Sequence, residues 1–311
     1  MLSSKLLALI PSKTKTFGPN GDFKLIINTD SRSFKKAETF VALSGDNFDG
    51  FNYVEQVARA GASAIIYSQK DGRDEIIQSF LVKYPNTLFV ETIDALKCIQ
   101  QLAELSILDW RSKKSDRKII GITGSNGKTT HKEMIFSLLN TLMPNQVLAT
   151  KGNLNNHIGV PLTIFGLEEK HEVAIIEMGM NHPGEIQELC SIAHPEHGMI
   201  TNIGSAHIEF MNSMDNIFKE KASLYQAILE NAKGNGMFVV NADDVYLIQL
   251  EKSKGLTTYG ESFGDIKIQI KSNSYDQQIS FNINGQKVLI TNNNILEHHN
   301  LKNLAGTAIL V

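Results

Sequence analysis

Cysteine is almost absent from this chain of 311 residues: there are two, Cys98 and Cys190, far apart and in no Cys-x-x-Cys pair. That excludes a disulfide-stapled secreted scaffold and a cysteine-built zinc site, and both thiols are expected to be reduced and buried or inert. Long apolar runs are missing as well. The stretch Leu6-Leu7-Ala8-Leu9-Ile10 falls short of the ~20 residues that cross a bilayer and of a secretory core, so no membrane span is expected and the cytoplasm is the default compartment. A surplus of one charge is also lacking: 30 Lys and Arg against 33 Asp and Glu leave −3 with histidine neutral. Nucleic-acid and membrane-surface binders usually carry a basic excess, so neither class is favoured, and any anion site has to be built locally. No internal repeat or low-complexity tract is evident.

What is present is the composition of an ordinary globular protein, 42% hydrophobic and 20% charged, which excludes a disordered, collagen-like or coiled-coil chain. At roughly 150 residues per domain the length predicts two domains. From Asp22 to about Ile107, short apolar runs alternate with helical stretches: Lys24–Asn28, Tyr53–Ala60, Ala64–Tyr67, Leu88–Val90 and Ile93–Leu108. This is the pattern of a small α/β unit. Arg111–Lys118 is polar and basic without apolar periodicity. It predicts a solvated linker, with a phosphate-contacting patch as the alternative, and divides the chain into domains 1–112 and 113–311.

Beyond it the rhythm lengthens: strand Ile119–Thr123, helix from Lys128, strands Gln146–Ala149 and Glu172–Glu177, helix from Pro183, strand Gly198–Asn202, helix Met214–Glu230, strand Gly236–Asn241. Such alternation predicts a mostly parallel sheet flanked by helices, with ligands at the carboxyl ends of the strands. Asp265–Thr291 alternates apolar and polar residues and predicts antiparallel strands, Asn284-Gly285 forming a hairpin turn. Asn300–Val311 reads as a helix with no stop signal after it, so the sequence is expected to be a fragment of a longer protein.

The segment Ile119-Ile-Gly-Ile-Thr-Gly-Ser-Asn-Gly-Lys-Thr-Thr130 carries the most chemistry. An apolar strand runs into a glycine-rich turn that opens a helix, so Thr123, Gly124, Ser125, Asn126 and Gly127 can turn backbone N–H groups toward one anion. Lys128 adds a full positive charge, and Thr129 and Thr130 begin the helix. Thr129 is placed to hold a magnesium ion bridging phosphates. The strict pattern has glycine six residues before the lysine, where this chain has Ile122, which points to a variant loop. Glu177 closes an apolar strand, so it is either a carboxylate for a hard cation or an exposed strand end. His207 follows a small-residue turn and, taken alone, reads as a satisfied or exposed histidine. His194 and His197 are separated by Pro195 and unaccompanied by cysteine, which speaks against a zinc site.

Several motifs recur in order: Gly121–Thr130, Gly152-Asn-Leu-Asn-Asn-His-Ile-Gly-Val-Pro161, Glu177-Met-Gly-Met-Asn-His-Pro-Gly-Glu-Ile186, Thr201-Asn-Ile-Gly-Ser-Ala-His207 and Lys219-Glu-Lys-Ala-Ser-Leu-Tyr225. With Asp30-Ser31-Arg32 and Phe40–Gly50 they make the chain similar to the Mur ligases of peptidoglycan synthesis. The resemblance covers nearly the whole chain and is strongest to the branch that joins D-alanyl-D-alanine to a UDP-N-acetylmuramoyl tripeptide. It implies a small α/β domain that binds the uridine nucleotide, a central ATP-binding domain, and a C-terminal domain for the incoming amine that is absent here, leaving the fragment inactive in ligation.

The resemblance further implies ATP and two magnesium ions, with Thr129, Glu177, His207 and Lys221 at the metals and Lys221 carbamylated. The alternative for Lys221 is a surface helix lysine, with Lys219 as a competing candidate. Asn155 and Asn156 would lie near the reacting carboxylate and γ-phosphate, or be turn residues. Asn241, His299, Asn300 and Asn303 would serve the adenine side, although Glu297-His298 stands where the family has Gly-Arg. Ser31, Arg32, Gly45 and Asp49 would contact the uridine nucleotide, against a simple capping turn at Asp30-Ser31. The implied protein is a cytoplasmic monomer that forms an acyl phosphate. The alternatives are a related ligase, adding the third stem-peptide residue or joining folate to glutamate, and a nucleotide-binding module without catalysis.

Overall fold

The computed structural model describes residues 3–19, 21–233, 235–250, 255–272, 276–292 and 297–311. They form two compact units, Met1–Lys113 with Ile164–Glu168, and Lys114–Thr163 with Glu169–Val311.

The first unit is a five-stranded sheet built from β1 (Lys13–Phe17), β2 (Ile27–Asn28), β3 (Thr39–Ala42), β6 (Ala64–Ser68) and β7 (Leu88–Thr92), in the order β1-β7-β6-β3-β2. A small ribbon, β4 (Ser44–Gly45) with β5 (Phe48–Asp49), follows β3. Strands β3, β6 and β7 are apolar and buried on both faces, as parallel strands between helices must be. Phe40, Ile65, Tyr67 and Phe89 face one core with Val57 of α1 (Val54–Arg59) and Ile77 and Phe80 of α2 (Arg73–Lys83). Val41, Ile66 and Val90 face the other, with Cys98, Ile99 and Leu102 of α3 (Ala95–Ser112). Strand β1 escaped the sequence reading because Lys-Thr-Lys-Thr carries no apolar alternation. It pairs antiparallel with β7 at the sheet edge, where exposed Lys15 discourages edge-to-edge association. Of Lys24–Asn28 only Ile27–Asn28 joins the sheet.

The second unit holds seven parallel strands: β8 (Lys118–Thr123), β9 (Val147–Ala149), β10 (Val173–Glu177), β11 (His197–Ile200), β12 (Phe238–Asn241), β13 (Leu256–Gly260) and β14 (Ile266–Lys267). Their order is β14-β13-β12-β11-β8-β10-β9, so the chain passes from one side of β8 to the other between β10 and β11. The carboxyl end of β8 is therefore the topological switch point where open α/β sheets bind ligands. Helix α4 (Lys128–Leu142) packs Ile135 and Leu139 against Leu301, Ala305 and Ile309 of α9 (His298–Leu310) in one core layer. Helices α6 (Glu185–Ala193) and α8 (Met214–Asn231) pack together. Two shorter helices, α5 (Gly159–Ile164) and α7 (Ile208–Met211), lie in the connections.

Two expectations are refined. The linker expected at Arg111–Lys118 is shorter than the sequence suggests: residues 112–116 are exposed and the boundary between the units falls at 113/114, but Arg111 and Ser112 finish α3, Lys118 opens β8, and Arg117 is buried with its guanidinium donating to the Glu169 carbonyl at 2.5 Å. An arginine can bury its aliphatic stem while its head meets a carbonyl. Asp265–Thr291 is not wholly antiparallel, because β14 pairs parallel with β13; residues 273–275 lie outside the described residues. The antiparallel part is β15 (Gln269–Ser272), β16 (Gln277–Ile283) and β17 (Gln286–Asn292), turned at Asn284-Gly285 with φ of 50° and 78°. Strand β13 was missed, its Thr-Thr-Tyr signal being short. Both cysteines are free and buried, and no helix among the described residues is long and apolar enough to cross a membrane.

Ile175 sits in the middle of β10 and is fully buried. Ile175→Ala is expected to destabilise the second unit by about 2–5 kcal/mol in urea unfolding. Val245→Ala, at a side chain 71% exposed, should stay within about 0.5 kcal/mol.

Candidate active site

The loop between β8 and α4 has a conformation that only glycine permits at two points. Gly124 has φ 152°, and a Cβ there would lie 1.8 Å from Thr201 Oγ1; Gly127, at φ 78°, caps α4 without a side-chain acceptor. The first turn of α4 is thus left uncapped by any side chain, and its N–H groups and dipole suit an anion. The loop is braced from the segment after β11. Ser125 N–H donates to the Asn202 carbonyl at 3.1 Å, Asn126 N–H to Asn202 Oδ1 at 3.0 Å, Gly204 N–H to Ser125 Oγ at 2.8 Å, and Thr201 Oγ1 to the Asn126 carbonyl at 2.5 Å. Thr123 donates to the Met178 carbonyl at 2.9 Å, while Thr130 is exposed.

Lys128 curls back over the loop, its Nζ donating to the carbonyls of Gly124 (2.7 Å) and Ser125 (3.3 Å). Burial holds its pKa below the usual lysine range, against the pull of Glu177. Glu177 is not an exposed strand end. It is 2% exposed, with Oε2 accepting from Thr129 Oγ1 at 3.0 Å, Oε1 from Asn155 Nδ2 at 2.8 Å, and its own N–H donating to Thr150 Oγ1 at 3.0 Å. A hydroxyl of the phosphate loop and a buried carboxylate therefore meet at the switch point.

The neighbouring Asn156 has a different local role. It is exposed, and its Oδ1 accepts from the N–H groups of Ile158 (3.2 Å) and Gly159 (2.8 Å), which makes it a turn residue that starts α5.

Lys221 is buried too, at 2% exposure, whereas Lys219 is exposed. Periodicity explains the difference: Ile217, Lys221, Leu224 and Ile228 make one stripe of α8, which faces inward. Burial first, then the positive charge of Lys128, push the Lys221 amine down to about 7, with Glu220 opposing. His207 is half-buried in a left-handed conformation (φ 65°) just before α7, and among the described residues no hydrogen bond or ion pair joins it to Glu177 or Lys221.

At the other flank, Asn303 of α9 lies beside the loop, its Nδ2 3.7 Å from where a Gly127 Cβ would be, and it donates to Asn300 Oδ1 at 3.4 Å. Asn241 ends β12 and accepts from Asp243 N–H at 3.0 Å. His299 is not drawn to the loop; it is exposed and paired with Glu297 at 3.2 Å. His298 meets Glu261 at 2.7 Å, and Lys302 joins Glu261 (2.9 Å) to Asp243 (3.1 Å). Burial raises the Asp243 pKa, but the N–H groups of residues 261–263 and Lys302 outweigh it and hold the carboxyl at about 2.

In the first unit, Gly45 and Asp49 line a cleft of about 530 Å³ with Ser68, Lys70 and Arg73. Asp49 accepts from Ser44 Oγ and Phe51 N–H, each at 3.0 Å, and from the Arg73 guanidinium, which also lies over the Phe51 ring. Ser31 and Arg32 do not line that cleft. Arg32, 87% exposed, grips Asp30 with two hydrogen bonds of 2.9 Å and holds that carboxyl at about 2.

Sequence reasoning missed Thr150, which orients Glu177, and Glu220, whose carboxylate accepts from the N–H groups of Gly184 and Ile186 at 2.8 Å each and so caps α6. The signal for Glu220 was its place next to Lys221 on the inward side of α8. For Thr150, 27 residues from Glu177, no local pattern exists. Among the described residues no group of three or more His, Cys, Asp or Glu side chains could hold a metal, so a cation here would depend on the Thr129 hydroxyl and the Glu177 carboxylate.

Residues 122–311 match the family model of the Mur ligase middle domain. The UDP-N-acetylmuramoyl-tripeptide–D-alanyl-D-alanine ligase of Bacillus subtilis is 34% identical over 83% of this chain and 52% of its own length; that of Escherichia coli is 32% identical over 70% and 43%. Among solved structures, MurF from Acinetobacter baumannii is similar at 29% identity and TM-score 0.77, covering 94% of this chain and 60% of that one. MurF from Thermotoga maritima in complex with ADP is similar at 25% identity and TM-score 0.75, covering 91% and 61%. The chain spans about half the length of the curated relatives it matches.

The depressed Lys221 pKa has a measurable consequence. Between about pH 7 and the ordinary 10.5 the unfolded chain holds a proton that the folded one has shed, so stability rises with pH across that window. Lys221→Met is expected to flatten this rise in urea midpoints measured free of carbon dioxide; an unchanged slope would exonerate the residue.

Proposed function

Because this chain belongs to the Mur ligase family, we propose that it serves an ATP-dependent carboxylate–amine ligase that joins D-alanyl-D-alanine to a UDP-N-acetylmuramoyl tripeptide in cytoplasmic peptidoglycan precursor synthesis. The observation that carries this reading is the clamp on Glu177, which sets a buried carboxylate against the hydroxyl of a phosphate-binding loop. Such a pair has no use in a simple strand-to-helix turn.

The Thr129 hydroxyl and the Glu177 carboxylate are oxygen donors that fit a hard cation and would hold one magnesium ion, and His207, through its imidazole nitrogen, with a carbamylated Lys221 would support a second. Bound there, the ions would neutralise phosphate charge and ease the approach of an anionic carboxylate. Lys221 is suited to carbamylation because burial keeps a fraction of its amine neutral, and the neutral amine is the form that adds carbon dioxide.

The remaining steps belong to the chain itself. Lys128 leaves the Gly124 and Ser125 carbonyls to meet phosphate oxygens, as the loop and the start of α4 supply N–H groups. The tripeptide carboxylate then attacks the γ-phosphorus, forming a new P–O bond as the bond to ADP breaks, and yields an acyl phosphate. The dipeptide amine attacks the acyl carbon and phosphate departs with the C–O electron pair. Asn155, holding Glu177 by its amide, keeps the metal carboxylate in place without adding charge. Asn241, Asn300 and Asn303 serve the adenine side, with His299 turning toward it on binding. In the first unit the Gly45–Asp49 cleft takes the uridine nucleotide, with Ser31 and Arg32 closing on it. The protein acts as a monomer, without nucleic acid.

Release of ADP by the native protein is expected to require both the tripeptide substrate and D-alanyl-D-alanine, and Lys128→Ala should lower it at least about 100-fold. ADP release indifferent to the muropeptide would defeat the assignment. Labelled bicarbonate should give a carbamate carbon signal that vanishes in Lys221→Ala; its persistence would move the modification elsewhere.

A further inference from the structure

The proposed reaction gives the buried charge of Lys132 no task. Lys132 lies on α4 three residues beyond Thr129, is 2% exposed, and shares its helix face with the core residues Ile135 and Leu139. Burying an ammonium is costly unless hydrogen bonds replace its water. Here the Nζ donates to the Thr150 carbonyl at 2.7 Å and meets Glu133, itself 62% exposed, at 2.8 Å.

Thr150 is the other half of the contact. It is 1% exposed at the end of β9 and spends every polar atom on a neighbour. Its N–H donates to the Ile175 carbonyl at 3.0 Å, its Oγ1 accepts the Glu177 N–H at 3.0 Å, and its carbonyl takes Lys132. The segment that follows leads to Asn155, whose amide grips Glu177 Oε1. A closed ring results: Thr129 to Glu177, Glu177 to Asn155 and Thr150, Thr150 to Lys132, and Lys132 back along α4 to Thr129. Two of its links reach the carboxylate itself; the Lys132 link fixes the spacing between the strand that carries Glu177 and the helix that carries Thr129. A lysine suits this place because its long stem crosses the core and its charge strengthens the bond to a carbonyl.

We propose that Lys132 and Thr150 are positioning residues for the magnesium site, tying α4 to β10 so that the Thr129 hydroxyl and the Glu177 carboxylate stay in register for one cation. This rests on the reading of the site as a magnesium–nucleotide centre. Neither residue touches phosphate or cation.

The test titrates ATP into the native protein by calorimetry at a series of free magnesium concentrations and again in chelator, with unfolding midpoints recorded for each variant. Lys132→Met keeps the stem and removes the charge; it should raise the magnesium needed for half-maximal assistance roughly 10–100-fold while leaving nucleotide uptake in chelator unchanged. Thr150→Val should do the same and Thr150→Ser, which keeps the hydroxyl, should restore the original requirement. Should Lys132→Met not fold, the two Thr150 variants read the adjoining link of the ring, from the Thr150 hydroxyl to the Glu177 N–H. A lowered unfolding midpoint with an unaltered magnesium requirement overturns the positioning role and leaves the site assignment standing. A native protein whose ATP uptake is indifferent to magnesium sinks both.

Discussion

A carboxylate withdrawn from water is the constraint on which the second unit is organised. Glu177 has lost its hydration shell and accepts in exchange one hydroxyl, one amide and the field of a nearby lysine. A carboxylate buried in this way is stable only while its donors stay in place, since an unpaired buried charge costs several kcal/mol. The two donors come from different segments, Thr129 from the start of α4 and Asn155 from the loop after β9, and the field comes from Lys128, which opens α4. Their convergence follows from a parallel sheet in which β8 lies between β10 and β11, because strand carboxyl ends then open on one edge.

Two cations share that neighbourhood, and both are held below their ordinary pKa: Lys128 by burial, Lys221 by burial and by Lys128. Lysines are rarely crowded and desolvated for the sake of stability. Arrangements of this kind cluster where a protein has chemistry to perform, since perturbed groups there are tuned for a ligand. A polyphosphate with its divalent counterion is the ligand whose charge would relieve both lysines and occupy the Thr129–Glu177 pair together. Folding stability from the apolar layers around β8, β10 and α4 offsets the cost of desolvating the two lysines.

Much of this was legible in the residues, and the reasons are specific. Parallel strands buried on both faces must be continuous apolar runs, so Ile119–Thr123 and Val173–Glu177 announced themselves, and the Gly-Lys-Thr spacing located the loop before any coordinates. What failed to show depended on partners distant in the chain. Strand β1 is polar because only β7 holds it. Arg117 looked solvated because its acceptor is the Glu169 carbonyl, 52 residues away. Glu177 was readable as a strand end but not as a buried one, since its donors lie 22 and 48 residues off. Lys221 could have been chosen over Lys219 from the inward stripe of Ile217, Leu224 and Ile228 alone. Asn155 and Asn156 are adjacent and alike in sequence, yet one serves the carboxylate and the other a turn; only the fold tells them apart.

The central claim is that a single divalent ion joins the loop hydroxyl to the buried carboxylate. Crystals of the protein grown with ADP and manganese would locate that ion by its anomalous scattering. The account predicts one peak at about 2.1 Å from both Thr129 Oγ1 and Glu177 Oε2, the distance expected for a small hard cation. Nucleotide in the loop with no manganese peak at that position, or with Glu177 still bonded to Thr129, would contradict it.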